Sequence, residues 1–352
     1  MKKLLFSTIL LCLLGLLFVF EASTTESLAL YGHQYHFLRQ QSMWIGVGTV
    51  ALLVAALLPP KLLEKLAPFW YVLGILLLLL VLMPGIGREF NGARRWIAIG
   101  SITVLQPIEL VKFCVVVFFA SWMSKHQKLL PFLFLSGIPI GLVLLQPDLG
   151  SSLILFTITF GLYFLAGGNI KFLAATTGCA ILFLALAVGT SDYRMRRVAT
   201  YLNPELDPLG AGFHIRQITV ALGRGGLLGQ GIGNSQQKLA YIPEPSSDSI
   251  FAITAEEVGF VGSIFIIGLF MLYTQAASEI AVSQSKNQFN YLLAAGITIW
   301  FATQTLLNLA AIVALVPLTG LPLPLFSYGG SSIVMILFAT GILLRLSRTK
   351  QT

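Results

Sequence analysis

Residues 193–262 read YRMRRVATYLNPELDPLGAGFHIRQITVALGRGGLLGQGIGNSQQKLAYIPEPSSDSIFAITAEEVGFVG, the one long polar interruption in an otherwise apolar chain. The stretch holds the cations Arg194, Arg196, Arg197, Arg216, Arg224 and Lys238, and then the carboxylates Glu244, Asp248, Glu256 and Glu257. Long apolar runs lie on both sides. Cations followed by carboxylates at the edge of a membrane suit an anionic substrate carried on a lipid.

Composition sets the frame around that stretch. Hydrophobic residues make up 56% of the 352 residues, charged residues 10%, and the mean hydropathy is +0.86. Soluble domains carry about 25% charged residues, so a soluble fold is excluded. Crossing about 30 Å of hydrocarbon takes roughly 20 apolar residues per helix. No alternating pattern of the β-barrel kind is present, which leaves helices to satisfy the backbone in lipid. The net charge of +8 is spread over loops, without a basic, aromatic-interleaved segment, so no nucleic-acid partner is expected. Cys12, Cys114 and Cys179 fall inside apolar runs, where cysteine acts as a small hydrophobe rather than part of a disulfide framework.

The fold expected is an all-α polytopic membrane protein of about ten transmembrane helices with both ends cytoplasmic. Residues 1–352 form a single integral domain. The expected spans are Leu4–Phe20, Ser42–Leu58, Phe69–Met83, Gln106–Trp122, Phe132–Leu145, a sixth from the turn 146–150 to Leu165, Phe172–Val188, Ser249–Tyr273, Tyr291–Leu307 and Ile333–Leu346. Met1-Lys2-Lys3 before an apolar run has the shape of a signal peptide, but no small-x-small site follows it, so it reads as a retained first helix. Short inner loops carry Lys61, Lys65, Lys125, Lys128, Lys171 and Lys286, as the positive-inside rule asks. Residues 21–41, 88–103 and 189–248 are then outer loops, the last a large extracytoplasmic one. Between Ala314 and Ser332 three prolines and three glycines rule out one regular helix. That segment is expected to re-enter or line a cavity, since irregular backbone at this depth must be covered.

Several groups invite a chemical reading beside a plain one. Glu109 and Lys112 lie on one helix face at i, i+3. Lys112 is roughly 8 Å deep at 1.5 Å per residue, and Asp148 is the partner expected for it. The plain reading is an ion pair that holds helices together. Asp148 also suits the first turn of its helix, where an anion complements the dipole. Asp248 is either a helix N-cap or a general base beside a pyrophosphate held by the loop arginines. Glu256 and Glu257 sit two turns into a membrane helix, so at least one must face protein or water. The glycines from Gly223 to Gly233 match no nucleotide fingerprint and read as a shaped loop. His33, His36, His126 and His214 show no ligand spacing, and no metal site is assigned.

These segments closely resemble the SEDS family of bacterial membrane proteins (the FtsW, RodA and SpoVE group). The resemblance is carried by Asn91-Gly92-Ala93-Arg94-Arg95-Trp96-Ile97, Gln106-Pro107-Ile108-Glu109-Leu110-Val111-Lys112 and Gln146-Pro147-Asp148-Leu149-Gly150. It continues through Tyr193-Arg194-x-x-Arg197, the loop from Gly225, Tyr241-Ile242-Pro243-Glu244, Asp248-Ser249-Ile250-Phe251-Ala252 and Glu256-Glu257-x-Gly259. Leu323-Pro324-x-x-Ser327-Tyr328-Gly329-Gly330-Ser331-Ser332 closes the set. Residues 233–238, Gly-Asn-Ser-x-Gln-Lys, look more like the FtsW and SpoVE branch. One departure matters: the common His-Thr-Asp is Ser246-Ser247-Asp248 here, so no histidine receives a role.

The resemblance implies a peptidoglycan glycosyltransferase that polymerises lipid II onto a lipid-linked nascent glycan in the bacterial inner membrane. It implies a class B penicillin-binding protein as partner, with other divisome or elongasome proteins and membrane lipids around it. A divalent cation, Mg or Mn, is implied with ligands unknown. Asp248 takes the place of the family's essential aspartate. Glu244, Lys112 and Asp148 take those of the Pro-Glu glutamate, the intramembrane lysine and the Gln-Pro-Asp aspartate. Glu109, Arg94, Arg95, Arg194, Arg197, Lys238, Ser327 and Tyr328 complete the expected supporting set, with Arg94 and Arg197 as first candidates to hold the departing pyrophosphate. The role expected is cell division, with elongation of the RodA type as an alternative. A lipid II flippase, built on the intramembrane charges, and a non-catalytic scaffold are the competing readings.

Overall fold

The computed structural model describes residues 1–90, 93–99, 102–189, 195, 199–207, 210–237 and 246–349. Among these residues, ten helices of at least 16 residues carry the architecture. They are α1 (Lys2–Tyr31), α2 (His36–Ala55), α4 (Ala67–Leu82), α5 (Pro107–Met123), α6 (Leu129–Leu145), α7 (Leu149–Leu165), α8 (Ile170–Gly189), α10 (Ile250–Ser283), α11 (Gln288–Ile312) and α12 (Gly330–Arg348). The shorter helices α3 (Pro60–Lys65) and α9 (Ala211–Gly225) lie between them. By length and apolarity α1, α10, α11 and α12 are each sufficient to cross a membrane, and α4, α6 and α7 are shorter apolar helices. At 1.5 Å per residue a 17-residue helix spans about 25 Å, close to the hydrocarbon thickness. The chain is an all-α, multi-pass membrane protein.

Contacts between helix ends sort them onto two faces. On one face Lys3 Nζ bonds Glu279 at 2.9 Å, Lys125 pairs with Glu64 at 3.0 Å, and Gln284 Nε2 donates to the Leu346 carbonyl at 3.0 Å. On the other, Gln41 Nε2 donates to the Ser327 carbonyl at 3.1 Å and the Gln106 N–H to Ser331 Oγ at 3.0 Å. Successive helices alternate direction between these faces, as an up-and-down multi-span chain requires. Phe113, Phe119, Phe132 and Trp300 lie fully buried between them, and Tyr273 stacks on Phe301 at 3.8 Å.

Two outer segments differ from the sequence expectation. The first helix does not stop at Phe20 but runs to Tyr31 and ends at Gly32 (φ 73°), whose N–H returns to the Leu28 carbonyl. Neither Gly nor Pro interrupts residues 21–31, and Ala22, Ser23 and Ser27 pack inward. Ser27 Oγ then bonds the His33 carbonyl at 2.7 Å and accepts the His36 N–H at 3.2 Å, closing the turn into α2. The second difference is a small antiparallel sheet where a loop was expected: β1 (Gly87–Phe90), β2 (Ala93–Ile99) and β3 (Ile102–Leu105) in that order. Trp96, Ile97, Ile102, Thr103 and Val104 are residues that favour a pleated, half-buried surface. The register pairs Arg88 with Trp96 and Ile97 with Leu105. The Asn91-Gly92 turn lies outside the described residues.

The segment between α11 and α12 is irregular, and protein covers it. Leu321, Leu323, Leu325 and Phe326 are buried. Its carbonyls are met from α11: Gln304 Nε2 donates to Pro322 at 2.9 Å, and Asn308 Nδ2 to Leu321 at 2.7 Å. Backbone groups that a helix would have satisfied internally are satisfied here by side chains.

Candidate functional site

The long helix α10 is broken at Gly259, which adopts φ 69° and ψ −169°. That region of backbone space is essentially reserved for glycine. The break frees main-chain groups that would otherwise pair along the helix, and the glycine-rich loop takes them. Gln230 and Gly231 donate their N–H groups to the carbonyls of Glu256 and Glu257, both at 3.0 Å. In return Phe260 donates to the Gly226 carbonyl at 2.9 Å and Val261 to that of Leu227 at 3.1 Å. A Cβ on Gly229 would lie 2.1 Å from the Glu257 carbonyl oxygen, and one on Gly259 2.2 Å from the Gly229 nitrogen. Glycine is required on both sides because two backbones touch. The loop is therefore a docked strap.

Glu256 and Glu257 both face this strap. Glu256 accepts from Ser235 Oγ at 2.5 Å and from the Gln237 N–H at 3.3 Å, and pairs with Arg224 Nε at 3.5 Å. Glu257 accepts the Ser235 N–H at 3.4 Å. Buried carboxylates are costly unless bonded, and these are bonded.

Asp248 stands in the turn that opens α10, partly exposed, on the face opposite Lys3. Ser249 Oγ donates to its Oδ1 at 3.3 Å, and Asn308 Nδ2 donates to its carbonyl at 2.9 Å. The neighbouring turn is tied to the irregular segment, since the Tyr328 N–H donates to the Ser246 carbonyl at 2.8 Å. Tyr328 Oη in turn donates to Gln40 Oε1, and its ring meets Phe37 edge-on at 5.1 Å. Ser327 Oγ accepts the Leu323 N–H at 2.8 Å, bracing the same segment from within.

The intramembrane charges arrange differently from expectation. Lys112 donates to Glu109 at 2.7 Å and to Gln304 Oε1 at 2.7 Å, and its ammonium lies 5.3 Å from the Trp300 ring centroid. Asp148 is not its partner. Asp148 caps α7, accepting the Ser151 N–H at 3.0 Å and Ser151 Oγ at 2.8 Å, and it pairs with Arg95 Nε at 3.8 Å. Arg95 also donates to the carbonyls of Gln146, at 3.4 Å, and Pro147. The reason is geometric: Glu109, one turn back on α5, and Gln304 from α11 already bind the lysine, while Arg95 descends from the sheet onto the Asp148 turn. Arg94, on the same strand, is exposed. Arg194, Arg197, Lys238 and Glu244 lie outside the described residues.

Sequence reading missed four partners. Trp300, Gln304 and Asn308 recur every four residues on α11, so they form one polar edge. Trp300 Nε1 bonds Gln304 Oε1 at 3.0 Å. Polar residues at helical spacing within a membrane helix are the signal that could have found them. The fourth is His214, whose Nε2 lies 2.8 Å from Ser249 Oγ. Among the described residues no three His, Cys, Asp or Glu side chains gather as metal ligands.

These features define a multi-pass helical membrane protein with a polar site at one face, assembled where a broken helix, an irregular segment and a docked loop meet. The family called "Cell cycle protein", comprising FtsW, RodA and SpoVE, matches residues 2–352, and the chain belongs to that family. It is 38% identical over 341 residues to the probable peptidoglycan glycosyltransferase FtsW of Trichlorobacter lovleyi, covering 95% of this chain and 89% of that one. It is 34% identical to the stage V sporulation protein E of Bacillus subtilis, covering 97% and 95%. Among solved structures, a chain of a peptidoglycan synthase complex that coordinates polymerization and crosslinking superposes with TM-score 0.80 at 29% identity, covering 99% and 97%. The rod shape determining protein RodA of Thermus thermophilus superposes with TM-score 0.72 at 28% identity, over the same shares.

Proposed function

We propose that this protein is a peptidoglycan glycosyltransferase that polymerises lipid II at the outer face of the bacterial inner membrane, in cell division. The observation that carries the mechanism is the position of Asp248. It is a partly exposed carboxylate at the mouth of a membrane helix, held at its main chain by Asn308 and at Oδ1 by Ser249. The relatives named as glycosyltransferases support the reaction class.

In this reading Asp248 is the general base. It takes the proton of the 4-hydroxyl of the lipid II N-acetylglucosamine. That oxygen attacks the anomeric carbon of the lipid-linked glycan from the opposite side, so the new glycosidic bond forms as the bond to pyrophosphate breaks, with inversion. The electron pair leaves with undecaprenyl pyrophosphate. Arg94 and Arg197 stabilise its developing charge, an effect worth about 3–4 kcal/mol per donor in favourable sites. Isoprenoid tails remain among the helices, so the bilayer confines both substrates. A class B penicillin-binding protein crosslinks the strands made; the likeness to a chain of a synthase complex supports such a partner.

The test is polymerisation of purified lipid II in detergent, alone and with a class B penicillin-binding protein. The parent makes glycan strands, and Asp248→Asn makes none. Detergent removes sidedness, so a flippase without transferase activity yields no strands in either case. An Asp248→Asn variant that polymerises like the parent removes Asp248 as the base.

A further inference from the structure

Asp248 is reached by a second side chain, from a helix residue 34 positions away in the sequence. His214 lies on α9, and its Nε2 is 2.8 Å from Ser249 Oγ, which donates to Asp248 Oδ1 at 3.3 Å. A serine hydroxyl carries one hydrogen. If that hydrogen points to the carboxylate, the bond from histidine must be donated by the ring. The count assigns the Nε2–H tautomer and gives a one-way chain of donors, imidazole to hydroxyl to carboxylate. Ser249 is fully buried, so its hydroxyl has no water to turn to, and without the ring its lone pair loses its partner.

The helix that delivers the histidine is secured at its other end too. Arg224 Nε pairs with Glu256 at 3.5 Å, ten residues or about 15 Å along the axis from His214. Helix α9 is thus held to α10 at two points, one beside Asp248 and one at the docked strap. Burial pushes the imidazole down to about 4, so the ring is neutral at physiological pH and a single tautomer can persist.

We propose that His214 is a positioning residue for Asp248: through Ser249 it orients one carboxylate oxygen and stabilises the ionised form that accepts the proton. The histidine does this from the large loop, although the position two residues before the aspartate is Ser246 here. A carboxylate built in this way is oriented only while α9 is docked, which links loop position to the readiness of the base. The inference rests on the glycosyltransferase reading above.

The experiment compares His214→Ala, His214→Gln, Ser249→Ala and the double His214→Ala/Ser249→Ala variant in the lipid II assay, with thermal stability measured on each. A lost hydrogen bond that raises the barrier by about 1.4 kcal/mol slows the reaction about tenfold. His214→Ala and Ser249→Ala are each expected to lose about tenfold in kcat with KM within twofold. The double variant is expected to be no worse than either single, and His214→Gln, which keeps an N–H, to regain most of the rate. Full activity in His214→Ala overturns the inference, as do multiplying losses, or a His214→Gln that is as poor as His214→Ala at equal Tm. A parent that makes no glycan instead defeats the glycosyltransferase reading. In that event 15N-histidine NMR still decides the geometry: Ser249→Ala shifts the His214 Nε2–H signal if the bond exists and leaves it unmoved if not.

Discussion

The side-chain nitrogen of Asn308 lies 2.9 Å from the main-chain carbonyl oxygen of Asp248 and donates to it. The same nitrogen donates at 2.7 Å to the carbonyl of Leu321 in the irregular segment. One amide on a membrane helix therefore fixes the height of the candidate base and the path of the segment beside it. Four residues back, Gln304 joins that segment to Lys112. Helix α11 is the spine from which the site hangs.

Asn308→Leu leaves two carbonyls without that donor, at about 1–3 kcal/mol for a buried unmade bond. A loss of polymerisation of at least tenfold is expected with a lowered Tm. Asn308→Asp, equal in size, sets oxygen against oxygen and should be worse than Asn308→Leu. If Asn308→Asp matches the parent in glycan yield and Tm, the clamp is unimportant.

Lys112 and Glu109 are both fully buried, and removing one member of such a pair strands the other at about 3–5 kcal/mol. Lys112→Met is therefore expected to express poorly or unfold early. The double variant Lys112→Met/Glu109→Gln should recover both Tm and glycan synthesis, because no charge remains buried. A double variant that is stable yet inactive would instead give the lysine a part in the chemistry.

Gly259→Ala forces a side chain into a backbone region reserved for glycine and against the Gly229 nitrogen. The expected cost is about 1–3 kcal/mol. The damage should be local, with amide exchange rising across residues 226–233 and at Phe260 and Val261. Unchanged protection there would mean that the strap is held by something other than the break in α10.

Stability should also depend on His214 in a defined pH window. Its pKa is held at about 4 by burial, below the unfolded value of about 6.5. Between those values the unfolded chain binds more protons, so stability rises with pH. The contribution is complete above about pH 6.5 and is lost as pH falls toward 4. Ser249 meets the ring from the turn that opens α10, with Asp248 beside it, Arg216 shares its helix, and Arg224 with Glu256 lies at the far end. Amide exchange in residues 211–225 is expected to rise on acidification from pH 7 to 5 in the parent. His214→Gln should show a flatter response, and equal slopes would exclude the ring as the cause.

The ten long helices were legible because a membrane demands apolar runs of a set length, and composition meets that demand openly. The irregular segment before α12 was legible for the opposite reason, since three prolines within 19 residues forbid a helix. The sheet around Arg94 and Arg95 was harder to see. Its strands are short, and their alternation is obscured by adjacent arginines and two register shifts. Lys112 shows where spacing stops informing. Periodicity places Glu109 beside it on the same helix, but the choice between Gln304 and Asp148 depends on how α5, α7 and α11 pack.

Local chemistry alone therefore determined the class of protein and its spans, because both follow from short-range rules of burial and backbone geometry. Which groups meet Asp248 was decided only by the tertiary structure. Asn308 and His214 are 60 and 34 residues away in opposite directions, and a hydrogen bond requires its atoms within about 3 Å, which no sequence separation specifies. Packing of α9 and α11 against the opening turn of α10 brings them there.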